Sequence, residues 1–405
     1  MAIAINSKRH PAELIFKQSL PNDISASATK AWLLALLFLA LIIRIYLCFG
    51  SGLSTWSTDT YDYIRMADGI LNGQPISFFP NGFPLLIAAV KIAGGEEHLA
   101  TNLLVLNILM STCVVLATFF VAQSIMTRQL ALAATALVAF WPNQLNFVRQ
   151  ILSEVPSTFF LTLAIALMLR ARSFSSGMLF SAATLVRSSL FPIAPLAALC
   201  LLWGRKRLEA FWLITGFAFI IGMELALIKF GILKGASNIG TNLLIAIHNN
   251  STHGIDFSLG MFSEQEKGAP LMTYLSFAVS HPIEFLSQRL SSAWELWGPW
   301  PGVGDAPIPR STVTRLLIGL RFPALLLAVL AVWVLRSRPQ IWLIATPILV
   351  VTVTHVLFFS TSRFTYPVEP SLLILAVLGS VILVRSSLAW RIPAPPASGA
   401  RTAKV

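Results

Sequence analysis

Three aspartates, Asp59, Asp62 and Asp68, fall within ten residues of one another in a 405-residue chain of which only 11% is charged. Tyr61, Tyr63 and Arg65 are interleaved with them, Gly73 follows, and the whole segment comes directly after the first long apolar run. A carboxylate at the edge of an apolar phase is partly desolvated, which raises its pKa toward the range where it can take a proton from a hydroxyl. A reaction that expels an anionic group also needs cations, and guanidinium groups meet phosphate oxygens two at a time. Arg187, set between Ala-Thr-Leu-Val and an apolar Leu-Phe-Pro-Ile stretch, is the first choice, and Arg363 the second.

Each residue also has an ordinary reading. Asp59 is able to cap a helix over 61–71. Asp62 and Asp68 suit solvated helix faces, and Arg65 stands at i+3 from both, the spacing of a structural ion pair. Tyr63 suits an interfacial aromatic. Glu154, between Arg149 and Pro156, fits a salt bridge or a helix-start carboxylate as well as acceptor positioning or metal contact. His248 lies in an Asn-rich stretch, and Glu224 is an isolated acid in an apolar run, which defaults to a functional hypothesis or a protonated structural role. Six histidines and three cysteines show no metal or disulfide spacing, so no cofactor is expected to be required, a divalent ion being the one conceivable addition.

The elements that must carry these residues follow from composition. At 56% hydrophobic and a mean hydropathy of +0.75, with several continuous apolar runs, the chain is an all-α polytopic membrane protein rather than a soluble domain or a barrel. The net charge of +12 reads as topology and not as nucleic-acid binding, because the basic residues form short clusters between the runs. Lys8, Arg9, Lys17 and Lys30 precede the first run, and Arg128, Arg170 with Arg172, Arg205 to Arg207, Arg336 with Arg338, and Arg385 with Arg391 mark alternate boundaries. That pattern predicts a cytoplasmic N-terminus and about ten spans, near 31–50, 101–124, 130–146, 155–172, 177–189, 190–203, 210–229, 315–335, 340–358 and 369–385.

The expected organisation is a cytoplasmic segment 1–30, a catalytic membrane module 31–229 with a first outer loop 51–100, an outer loop 230–312 with an amphipathic helix, membrane helices 313–390 and a disordered cytoplasmic tail 391–405. Within the first loop, Phe79-Pro80-Asn81-Gly82-Phe83-Pro84 leads into an apolar run ended by Lys91 and Gly94-Gly95, too short to span and suited to an interfacial or re-entrant helix. Within the second, His281 to Leu290 followed by Trp294, Trp297 and Trp300 reads as an amphipathic helix with a tryptophan belt.

Asp59-x3-Tyr63-x3-Ala67-x5-Gly73 resembles the first-loop pattern of the GT-C superfamily of polyprenyl-phosphate-sugar-dependent glycosyltransferases, on the side of the protein O-mannosyltransferases and lipid A aminoarabinose transferases. The run 79–84 is similar to that family's Pro-Pro-Gly-Tyr-Pro element, with Asn81 standing for the second proline and Phe78-Phe79 where the family has a basic residue just before the double proline. Leu152-Ser153-Glu154, Thr184-Leu-Val-Arg187, Thr241-Asn242-Leu243 with His248-Asn249-Asn250, and Arg363 to Pro370 resemble the later motifs in the right order. The resemblance implies a GT-C fold with juxtamembrane helices and Asp59 as the catalytic carboxylate. It further implies donor-phosphate contacts from Arg187, Arg363 and Arg65, and acceptor or sugar positioning by Tyr63, Asp62, Glu154 and His248. The implied partners are a polyprenyl-phosphate sugar, a hydroxyl-bearing acceptor on lipopolysaccharide, polysaccharide or protein, and the bilayer. A bacterial inner membrane with the site facing the periplasm would suit them.

Two other classes share these features. A flippase for a lipid-linked sugar predicts internal repeats and broken mid-membrane helices, and no repeat is visible. A polysaccharide ligase or polymerase would rest on arginines of the large outer loop, which holds only Arg289 and Arg310.

Overall fold

Apolar runs in a membrane satisfy their backbone hydrogen bonds internally, and every regular element of the computed structural model, over its described residues, is helical. Those residues are 24–52, 56–236, 238–248, 262–299, 316 and 319–389. Helix α1 (Ala26–Ile45) continues as a π-turn, Tyr46–Gly50, and is followed by α2 (Thr58–Leu71), α3 (Gly82–Gly94), α4 (Leu99–Gln123), α5 (Arg128–Phe140) and α6 (Pro142–Val148). Next come α7 (Glu154–Met168), α8 (Ser173–Val186), α9 (Ile193–Trp203), α10 (Arg207–Lys229) and α11 (Asn238–His248). The chain then forms α12 (Glu264–Gly268), α13 (Pro270–Ser280), α14 (Pro282–Trp297), α15 (Arg321–Val334), α16 (Pro339–Leu357), a 3-10 segment Ser362–Val368 and α17 (Glu369–Ala389).

Among the described residues, five stretches are long and apolar enough to cross a membrane: Ala26–Gly50, Leu99–Gln123, Arg207–Lys229, Pro339–Leu357 and Ser362–Ser386. The protein is an integral, multi-pass membrane protein. The other expected spans are represented by shorter apolar helices, with 315–335 reduced to the described Arg321–Val334. The run 130–146 is not continuous: Trp141 is extended (φ −64, ψ 126) because Pro142 disfavours helical backbone at the residue before it, so α5 stops and α6 restarts. Helix α3 has 13 residues, about 20 Å at 1.5 Å per residue, short of a bilayer core.

Hairpin connections set two opposite ends. Arg128, Arg170 with Arg172, Arg205 to Arg207, and Arg336 with Arg338 lie at the turns that join α4 to α5, α7 to α8, α9 to α10 and α15 to α16. Glu154 at the start of α7, the residue after α8, the segment after α16 and the start of α17 lie at the other end. The α8 and α10 helices pack most closely where Gly177 faces the backbone of Leu213 and Gly216 faces that of Phe174, so a Cβ at either would collide with main chain.

Helices α11 to α14 lie on the second end. Arg289 of α14 is buried, 6% exposed, and donates through Nη1 to the carbonyls of Val356 (3.1 Å), Leu357 (2.6 Å) and Phe358 (3.1 Å) and through Nη2 to that of Ala246. It thereby caps the end of α16, whose last carbonyls have no partner within the helix. The N-terminal segment, the 391–405 tail, Trp300, Arg310 and the stretch from Asn249 lie outside the described residues.

Candidate functional site

Helix α2 opens on a capping box: Ser57 Oγ accepts from the Thr60 amide at 3.3 Å, and the Ser57 amide donates to Thr60 Oγ1 at 3.1 Å. The cap is therefore Ser57 and not Asp59, which corrects one sequence reading. Thr60 is fully buried and its hydroxyl also donates to the Ile151 carbonyl at 2.9 Å, tying the first turn of α2 to the strand of chain that leads into α7. Asp59, released from capping, places a carboxylate oxygen 3.0 Å from Arg363 Nη2, with about a quarter of each side chain exposed.

Glu154 is the first residue of α7, its side chain 3% exposed, and it stands between two guanidinium groups. Arg187 Nη1 is 3.4 Å and Arg363 Nε 3.9 Å from the same carboxylate oxygen. The order in space is Asp59, Arg363, Glu154, Arg187: two acids and two bases in alternation. Arg187 follows α8 in extended backbone (φ −149, ψ 99), and Gly82 lies against the carbonyl of Leu185 and the amide of Val186, close enough that a Cβ would stand 2.5 Å away. The Gly82 position of the 79–84 run thus sets where Arg187 emerges. At 3.4 Å the Arg187 Nη1 group makes no hydrogen bond to Glu154 and retains donor capacity. The Phe364 ring lies under both cations, 4.8 Å from the centre of the Arg187 guanidinium and 5.5 Å from that of Arg363.

Tyr63 is 5% exposed, packed against Phe79 (4.5 Å) and Phe83 (4.9 Å), and shares a hydrogen bond with Ser153 beside Glu154. Burial, reinforced by the negative charges of Asp59 and Glu154, holds its phenol well above the usual tyrosine range, so it is a neutral hydroxyl.

The structure does not bring the remaining sequence candidates into this group. Arg65, 63% exposed, pairs with Asp62 at 2.9 Å on the outer face of α2, the i,i+3 alternative of the sequence reading. Asp68 pairs with Lys91 of α3, which also reaches Glu96 at 3.0 Å and staples α3 to α2. His248 ends α11 and pairs with Glu266 at 2.6 Å, itself the reciprocal partner in the Ser263 capping box. Glu224 accepts from Asn81 Nδ2 at 2.9 Å, so the asparagine that departs from the family's double proline joins α3 to α10.

Sequence reasoning missed the frame behind Arg363. Glu369 is fully buried and accepts from Asn143 at 2.6 Å and Gln144 at 2.9 Å, while buried Arg321 donates to Thr365 Oγ1 at 2.9 Å and to the Ser362 carbonyl. It also missed His355, whose ring stacks on Phe364 at 4.2 Å and lies in an apolar run with no spacing signal. Among the described residues no three His, Cys, Asp or Glu side chains are grouped as a metal site.

No family model matches the chain, and no curated protein matches it. Solved structures do. The archaeal oligosaccharyltransferase AglB from Archaeoglobus fulgidus, in complex with an inhibitory peptide and a dolichol-phosphate, is 15% identical with a TM-score of 0.50 over 90% of this chain and 52% of that one. The Archaeoglobus fulgidus oligosaccharyltransferase in the apo form is 15% identical with a TM-score of 0.55 over 91% and 52%, and the same enzyme tethered to an acceptor peptide containing the NVT sequon is 13% identical with a TM-score of 0.52 over 89% and 51%. The chain spans about half the length of the structures it matches. At this identity the likeness establishes the fold, an all-α membrane fold shared with these oligosaccharyltransferases.

Proposed function

We propose that this GT-C chain is an inverting membrane glycosyltransferase that moves a sugar from a polyprenyl-phosphate donor to a hydroxyl on the extracytoplasmic side, with Asp59 as general base. The observation that carries the proposal is the alternating array Asp59, Arg363, Glu154, Arg187, at the helix ends opposite the basic turns. One matched oligosaccharyltransferase structure holds an inhibitory peptide and a dolichol-phosphate and another a tethered acceptor peptide, which supports a lipid-linked donor and a separate acceptor for this chain.

In this reading the donor phosphate binds Arg187 and Arg363, and Glu154 holds the two guanidiniums apart from each other. A phosphate that draws Arg363 to itself releases Asp59 from its ion pair. The acceptor oxygen then attacks the anomeric carbon from the face opposite the phosphate, its proton passes to Asp59, and the bond from carbon to phosphate oxygen breaks with inversion. Polyprenyl phosphate leaves as an anion and needs charge stabilisation rather than a proton, which the two arginines supply. Tyr63 fixes the Ser153–Glu154 turn. The chemistry assigned to these residues requires no cofactor. A bacterial inner membrane with the site in the periplasm suits a polyprenyl donor, and lipopolysaccharide, polysaccharide or protein hydroxyls all suit the base.

The test is transfer of radiolabelled sugar from a panel of polyprenyl-phosphate sugars by purified protein, wild type against Asp59→Asn, with lipid binding followed in parallel. Turnover by wild type, with binding but no turnover by the variant, is the expected result. Equal turnover by both would place the base elsewhere, and lipid crossing the bilayer without cleavage would replace the transferase with a flippase.

A further inference from the structure

Buried polar atoms in folded proteins nearly always have hydrogen-bond partners, so a local concentration without them points to a missing partner. Thirteen buried side-chain atoms among the described residues lack one, and five of the thirteen belong to Arg187, to residues two or three positions from Arg187 or Arg363 in the chain, or to the ring stacked on Phe364: His355 Nε2, Ser360 Oγ, Thr361 Oγ1, Ser189 Oγ and Arg187 Nη1. His355, Ser360 and Thr361 are 8%, 2% and 7% exposed, whereas Asp59 and Arg363 are exposed by about a quarter, so the unpaired atoms are more deeply buried than the outer pair of the array.

The tautomer of His355 follows from its contact. The Phe359 carbonyl, 3.0 Å from Nδ1, can only accept, so Nδ1 carries a proton; a second proton is disfavoured on a buried ring that shares Phe364 with two guanidiniums, which leaves Nε2 a bare acceptor. The ring is fixed by that bond and by stacking on Phe364, the aromatic that also underlies Arg187 and Arg363. A buried nitrogen acceptor, followed five and six residues on by two unpartnered hydroxyls, does not select an anion or an apolar chain. It matches vicinal hydroxyls, each of which donates once and accepts once.

We propose that His355 Nε2, with the Ser360 and Thr361 hydroxyls, binds hydroxyl groups of the donor's sugar ring. The assignment rests on the transferase reading, and the burial gradient separates the two sugar-like partners. The acceptor hydroxyl must reach Asp59 from the exposed side, while a donor whose phosphate sits on Arg187 carries its ring one oxygen away, beside the buried wall. His355 is then a binding and specificity residue, not a proton carrier.

The experiment compares two probes in the absence of acceptor: a polyprenyl phosphate, and polyprenyl-phosphate monosaccharides with the same lipid, from which the tightest wild-type ligand is taken. Their affinity ratio is measured for wild type, His355→Ala and His355→Gln. Wild type is expected to bind the sugar-bearing lipid more tightly, His355→Ala to lose about tenfold of that ratio with binding of bare polyprenyl phosphate unchanged, and His355→Gln, which keeps an acceptor, to recover part of it. A ratio that is unaltered in His355→Ala, or absent in wild type, overturns the proposal while leaving the transferase intact, and means that water satisfies these atoms. An unaltered ratio with a raised KM for the acceptor alcohol overturns it in favour of acceptor binding. Wild type that binds neither lipid removes both this proposal and the reading beneath it.

Discussion

Arg363 bridges two carboxylates, with Nη2 3.0 Å from Asp59 and Nε 3.9 Å from Glu154. One planar group serves two acids that come from different helices, α2 and α7. A lysine has the charge but a single point of contact, so it cannot hold both acids and pass to a phosphate. Arg363→Lys is expected to lose about a hundredfold in single-turnover rate, the size seen when one oriented donor is removed from a reacting anion. A loss under threefold would mean that charge alone matters at this position.

The two arginines nominated from sequence alongside Arg363 should behave oppositely. Arg187 is inside the array and Arg65 is on an exposed helix face paired with Asp62. Arg187→Ala is expected to reduce kcat/KM for the donor by about a hundredfold or more, whereas Arg65→Ala stays within about twofold, since exposed i,i+3 pairs are worth a few tenths of a kcal/mol. Steady-state kinetics with the lipid donor checks both.

The Lys91 staple gives a pH dependence with a definite sign. Burial pulls the ammonium down, but hydrogen bonds and charge from Asp68 and Glu96 outweigh it, and Lys91 titrates above its ordinary 10.5. A raised native pKa contributes stability below the unfolded value, and that contribution is lost as pH rises through the native one. Thermal unfolding in detergent should therefore show Lys91→Met less stable than wild type at neutral pH, with the gap closing only above the ordinary lysine range. A gap that closes between pH 6 and 8 would assign it to another group.

The Arg289 cap is a stability element. Arg289→Met keeps most of the stem but strands the carbonyls of Val356, Phe358 and Ala246, while Leu357 keeps its bond from Tyr274. Buried acceptors left without donors cost about 1–3 kcal/mol, so the variant is expected to unfold several degrees lower. Donor affinity measured in the cold, where the variant is folded, should change less than in His355→Ala.

Much of the scaffold was legible because membrane helices are written as long apolar runs, and the basic turns stand out in a chain with so little charge. The break at Trp141-Pro142 was the exception, hidden inside an apolar run although the proline was visible. For the site, Asp59, Glu154, Arg187 and Arg363 were legible as charges where charge is costly. Their mutual arrangement was not, since Asp59 and Arg363 are 304 positions apart in the chain. Asp62 and Arg65 were legible too, but they pair with each other at i,i+3 rather than joining Arg363 and Glu154. His355, Ser360 and Thr361 gave no signal at all, because a histidine in an apolar run and two hydroxyls after it look like ordinary packing until the fold shows which of their atoms lack partners.

The Arg289 cap also decides which parts of the molecule stay still. The three carbonyls it grips on α16 lie between His355 and Phe359, the residue whose own carbonyl fixes the His355 ring, and Tyr274 of α13 adds a fourth bond by donating to Leu357 at 2.6 Å. Helices α13 and α14 are thus tied to the end of α16 beside the His355 ring, so in the proposed reaction the contact that has to give way is the ion pair of Arg363 with Asp59.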